Sequence, residues 1–125
     1  MAEDRLSITY KSEPKELFMS FLRLNTCLRI VGDPSGLATM LIDPDMGENI
    51  IRCALSEKGG AGEMFSVELE DGDISMKDYD AILMWTQEHL ASFFLLRLAQ
   101  VQKVQSQLEP LVQAALKSPS PGSES

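Results

Sequence analysis

A chain of 125 residues with 11 basic and 19 acidic side chains, formal net charge -8, is long enough for one real core and too short for two. Its 44% hydrophobic content excludes a disordered chain. Its acidity excludes a sequence-independent nucleic-acid binder, which needs surplus Lys and Arg, and argues against attraction to anionic membranes.

From the N-terminus, residues 1–10 mix charges and show no apolar run of the secretory kind. Leu6, Ile8 and Tyr10 alternate with Ser7 and Thr9, which predicts a strand. Residues 11–14 are a turn, and Leu17, Phe18 and Met19 a short return strand, giving a small hairpin. Residues 19–31 then turn helical. Leu22, Leu24, Leu28 and Val31, flanked by Phe21 and Ile30, suit a buried stripe, and Gly32 stops the helix.

Two Asp-Pro steps follow, Asp33-Pro34 and Asp43-Pro44. In each, the carboxylate can accept from the first amides of a helix, and proline suits the first helical position. A short helix is expected over 34–41, with a plain turn as the alternative at either step, more so at the first. A second is expected over 44–55, with Met46, Ile50, Ile51, Ala54 and Leu55 inward. Residues 56–62 are a glycine-rich loop, and 65–69 a short strand or extended loop. Ser75 followed by Asp78 approximates a capping box for a long helix from Met76. That helix holds no glycine or proline before Pro110, which should kink or end it; residues 111–116 can continue as a last short helix.

The long helix changes character along its length. Residues 79–98 are apolar around much of the circumference, as in a helix central to a core. Beyond Ala99 the apolar face narrows to a seam. Ala91, Phe94, Leu98, Val101, Gln105, Leu108, Val112 and Ala115 recur at alternating steps of three and four, broken only by Gln105. Gln100, Gln102, Gln107 and Gln113 leave the flanks polar but nearly uncharged. Such a helix packs back on its own domain, pairs with another helix in a self-oligomer or on a partner, or frays at its end. Phe94, Leu98, Val101, Leu108 and Val112 are the expected partner-binding residues.

The charge is uneven. Residues 59–80 carry seven acidic and one basic side chain, net -6, whereas 81–117 carry two acidic and three basic, net +1. The acidity therefore collects just before the long helix, whose positive N-terminal end Asp71, Asp73 and Asp78 complement.

Little in the sequence builds a reaction centre. His89 is the single histidine and has no neighbouring ligands at zinc spacing. Residues 59–62 lack the Gly-Lys-Ser/Thr of a phosphate loop. Asp71, Asp73 and Ser75 begin a calcium-loop spacing, but Met76 and Ile82 occupy the positions that need Gly and Glu. Glu68, Glu70, Asp71 and Asp73 lie in a polar loop with no source of pKa separation. Cys27 and Cys53 sit on predicted helices among apolar neighbours, as reduced buried thiols in a cytosolic chain; a disulfide between them is left open by the sequence. The expectation is a non-enzyme with no cofactor and no metal, and with no stretch apolar enough to cross a membrane.

Three stretches together resemble the tail assembly chaperones of long-tailed bacteriophages. They are Glu16-Leu17-Phe18-Met19-Ser20-Phe21 through Asn25 to Ile30-Val31-Gly32-Asp33; Leu41-Ile42-Asp43-Pro44-Asp45 through Leu55; and Asp73-Ile74-Ser75 through Trp85 to His89-Leu90-Ala91-Ser92-Phe93-Phe94. The resemblance covers residues 6–98 and has no catalytic signature. It implies a small, non-catalytic protein of the host cytoplasm, absent from the mature virion. Such a protein binds the tape measure protein, keeps it soluble and helps recruit the tail tube protein. The family often also makes a longer, frameshifted product. Other readings are an acidic inhibitor or nucleic-acid mimic, and a structural tail or head–tail subunit. The expected architecture is mainly α: one small helical domain over 1–117 with a short N-terminal β-hairpin and one long C-terminal helix, then a disordered tail over 118–125.

Overall fold

A computed structural model describes residues 3–58 and 60–117. The chain is mainly helical. Hairpin strands β1 (Arg5–Tyr10) and β2 (Glu13–Phe18) precede α1 (Phe21–Val31), α2 (Gly36–Ile42), α3 (Pro44–Leu55), α4 (Ala61–Met64) and the long α5 (Met76–Lys117). It divides into two units, Met1–Phe93 and Phe94–Ser125, so α5 contributes to both. The tail expected over 118–125 lies outside the described residues.

The hairpin closes on the pair Tyr10–Glu13, so its loop is only Lys11 and Ser12. Both have left-handed φ, +51° and +67°, as a tight primed turn requires. The return strand thus starts at Glu13, four residues earlier than the apolar pattern suggests. Pro14 fits within it because its partner pair with Thr9 is one step from the closing pair, where backbone N–H groups point away from the ladder. Ile8 and Leu17 face inward and are buried. On the outer edge the Thr9 amide donates to Asp78 Oδ2 at 3.1 Å and the Lys11 amide to the Asp73 carbonyl at 2.8 Å. The capping arrangement at the start of α5 is therefore half local. Ser75 Oγ accepts from the Asp78 amide, while the Asp78 carboxylate reaches β1 instead of returning to Ser75.

Helix α1 starts at Ser20, whose side chain accepts from the Arg23 amide, and stops at Gly32, with φ +87° and its N–H on the Leu28 carbonyl. Its buried face keeps Val31 of the expected stripe and corrects the rest. Arg23, Thr26, Cys27 and Val31 are buried, whereas Phe21 and Leu22 are 73% and 58% exposed. The helix is turned so that Arg23 points inward, because the carbonyls of Phe18, Cys53 and Ser56 are waiting there for its guanidinium.

The two Asp-Pro steps behave differently. Asp43 caps α3 as expected, accepting from the Asp45 and Met46 amides at 2.9 and 3.1 Å with Pro44 in the first turn. Asp33 instead holds a turn: Oδ1 accepts from the Ser35 amide at 2.9 Å and from the Ser35 hydroxyl, and α2 begins only at Gly36. Gly36 lies against the Val31 carbonyl, a close approach that leaves no room for a Cβ. Ile50, Ile51 and Ala54 of α3 are fully buried, as the pattern predicts. Four residues of the glycine-rich region form α4, and 67–70 are irregular rather than a strand.

The buried apolar side chains run from Ile8 to Leu90. Within the first unit, Ile82, Leu83, Trp85 and Leu90 are the inward apolar residues of α5, with Thr86 buried among them in sequence. Trp85 Nε1 donates to the Glu3 carbonyl at 2.7 Å, and His89 Nε2 meets the same oxygen at 2.8 Å. The two rings contact edge to face at 5.3 Å.

Candidate functional site

In the second unit, α5 runs through Pro110 without ending, to Lys117. Of the two expectations for Pro110, an end to the helix is thus not met, and the one long C-terminal helix is. Proline removes the N–H that would bond the Ser106 carbonyl. Ser106 and Pro110 are both exposed, so water can serve that carbonyl and the helix continues. Every residue from 95 to 116 is exposed.

Of the five expected contact residues, Phe94 is half-buried. Leu98, Val101, Leu108 and Val112 are each about half exposed, at 50–52%. At about 100° per residue these five fall on one face, as the three–four spacing requires. The face is broader than the seam. Val104 and Leu111, at 49% and 66% exposure, lie along one edge of it. They repeat at seven residues, a signal present in the sequence but masked because the preceding heptad equivalent is Arg97. Pro110 lies on the opposite side, so any bend it imposes carries the apolar face to the concave side.

Arg97, Gln100, Val101, Val104 and Gln105 line a shallow apolar hollow. Arg97 Nη1 donates to Gln100 Oε1 at 3.1 Å along its rim. Gln105 brings the one amide into the seam itself. The surface therefore offers apolar contact framed by uncharged donors and acceptors, which suits another amphipathic helix and supplies no nucleophile or general base.

The first unit has its own exposed apolar side chains at the β2–α1 junction, Phe18, Phe21 and Leu22. Arg5 stacks over the Phe18 ring at 4.9 Å and pairs with Glu16 at 2.8 Å. In the cleft between the hairpin and α4, Lys11 and Lys15 flank the Tyr10 ring at 5.4 and 5.5 Å. Glu57, Glu63 and Glu68 line the same cleft, so its charges are mixed rather than selective for an anion.

The buried chemistry of this unit centres on Arg23. Its Nε donates to the Cys53 carbonyl at 3.1 Å, and its two terminal nitrogens donate to the Phe18 and Ser56 carbonyls. Cys53 and Ser56 close α3, so the negative end of that helix acts as counter-charge for the guanidinium. Cys27 Sγ donates to Cys53 Sγ at 3.5 Å, and both thiols are buried. That bond and burial push the Cys27 thiol well above its ordinary pKa. Accepting the same bond lowers Cys53, against the effect of burial and with help from the Arg23 charge.

Among the described residues no three His, Cys, Asp or Glu side chains gather as a metal site, and no helix is long and apolar enough to cross a membrane. No family model, no curated protein and no solved structure matches this chain.

Proposed function

We propose that the chain is a non-catalytic assembly chaperone that holds a helical client on the apolar face of α5. The observation that carries this reading is the row Leu98, Val101, Leu108 and Val112, half exposed at heptad spacing on one face. An apolar row of this length is costly to leave in water and is covered by a second helix with the same spacing. Burying the exposed half of each side chain contributes about 1 kcal/mol. Four to six such contacts hold a client reversibly, which a chaperone needs. Phe94 extends the row, and Val104 and Leu111 broaden it.

The client is proposed to be the tape measure protein of a long-tailed phage, a long helical chain, on the strength of the resemblance over residues 6–98. In this reading the protein works in the host cytoplasm, keeps the tape measure protein soluble while tail tube subunits are recruited, and is left out of the virion. A second copy of the chain competes for the same face when client is absent. Co-expression with the tape measure protein of the same gene cluster tests the proposal. The expected result is a client that is insoluble alone and soluble and co-purifying with this chain; a client that stays insoluble refutes it.

A further inference from the structure

We propose that Cys27 and Cys53 are an oxidisable pair that closes into a disulfide between α1 and α3 when the folded chain meets a hydroperoxide. The sulfurs are already 3.5 Å apart and in hydrogen-bond contact. A disulfide forms by bringing them about 1.5 Å closer. The two helices that carry them are also tied by the Arg23 bond to the Cys53 carbonyl, so the pair sits where α1 and α3 are already joined.

Cys53 Sγ accepts from Cys27 Sγ and its own S–H donates to the Arg23 carbonyl at 3.7 Å. The Cys27 contact and the nearby Arg23 charge favour ionisation at Cys53 over Cys27, so Cys53 is assigned the first attack. Cys53 Sγ gives up its thiol proton and attacks one oxygen of hydrogen peroxide; the O–O bond breaks, and the departing hydroxide takes that proton to become water. This leaves a sulfenic acid on Cys53. Cys27 Sγ then attacks Cys53 Sγ. The S–O bond breaks, the hydroxyl leaves with the Cys27 proton as a second water, and the S–S bond forms. Two thiols are oxidised by two electrons and one hydroperoxide is reduced. Both cysteines are fully buried, so peroxide enters through local opening of α1 from α3, and the reaction is slow.

The test exposes the full chain to hydrogen peroxide in native buffer, followed by intact mass and thiol titration in denaturant. The expected product is a monomer lighter by two hydrogens, with both thiols lost together and a Tm raised by roughly 10 °C. In the Cys27→Ala variant the sulfenic acid has no partner thiol and is trapped on Cys53 by dimedone. Retention of both thiols in the wild-type chain overturns the proposal. So does a disulfide that appears only once urea is added, or one that links two chains.

Discussion

The Tyr79 hydroxyl of α5 stands 2.8 Å from the position that a Cβ on Gly47 of α3 would take. Glycine in a helix interior costs about 1 kcal/mol relative to alanine, so its presence here reflects the approach of the two helices. Gly47→Ala should therefore fail to stabilise and instead lose about 1–2 kcal/mol through overpacking. Tyr79→Phe removes the obstructing oxygen, since the ring carbon behind it is 3.9 Å away. The double variant Gly47→Ala/Tyr79→Phe should recover the loss. Urea midpoints of the four chains give the cycle; a Gly47→Ala midpoint above wild type in the Tyr79 background would show that the two groups do not collide.

Arg23 shows where sequence patterning stops. A charged residue between Leu22 and Leu24 reads as solvent-facing, and the apolar stripe was placed on its neighbours. The inward orientation depends on three carbonyls brought from Phe18, Cys53 and Ser56, a long-range arrangement that no local period encodes. Arg23→Met leaves all three without their donor and should cost about 3 kcal/mol. Arg23→Lys keeps the charge but not the fork and should recover only part of it. Chemical denaturation at neutral pH measures both.

Thr86 is a contrasting case. It is fully buried, and its Oγ1 has no hydrogen-bond partner among the described residues. An unpaired buried hydroxyl is a net cost. Thr86→Val keeps the shape and removes the polar atom, so it should be neutral or stabilise by up to about 1 kcal/mol. A clear loss of Tm would mean the hydroxyl is paired in solution.

The two Asp-Pro steps share the same dipeptide chemistry, and their divergence into a turn and a cap sets up a pH prediction. At Asp33 the Ser35 hydroxyl first, then the Ser35 amide and the Gly36 amide, hold the carboxyl below its ordinary pKa. A depressed folded value contributes stability above the unfolded pKa, near about 4, and that contribution is lost as pH falls through the folded value. Ser35→Ala should raise the Asp33 midpoint toward the ordinary carboxylate value, read from its side-chain carbonyl shift by NMR. An unchanged midpoint would remove the hydroxyl as the main cause.

The mainly helical architecture, the hairpin, α3 and the start of α5 were legible because each rests on local signals: alternation, caps and an uninterrupted helical period. The loop of the hairpin was not, because Lys11 and Ser12 lack the usual Gly or Asn of a left-handed turn. Whether α5 ends at Pro110 or passes through it was left open, because proline costs a hydrogen bond and a ring clash but an exposed Ser106 carbonyl can be served by water. The apolar face of α5 was legible as a seam through Leu98, Val101, Leu108 and Val112, but its width was not, since Arg97 hides the seven-residue repeat that Val104 and Leu111 continue.

That face gives the most direct test of the proposed client binding. Val101→Lys with Leu108→Lys places two charges in the seam, whereas Ala99→Lys with Ser106→Lys places the same two charges away from it. All four sites are exposed, and lysine is a good helix former, so both double variants should keep wild-type helicity by circular dichroism. The seam variant should lose about 2–3 kcal/mol of client affinity from the apolar area no longer buried, enough to return the tape measure protein to the pellet on co-expression. The opposite-face variant should keep it soluble. The buried apolar side chains end at Leu90, so neither change should move the Tm of the first unit. Equal loss of client from both variants would assign the effect to charge rather than to the face, and the proposed docking surface would fall.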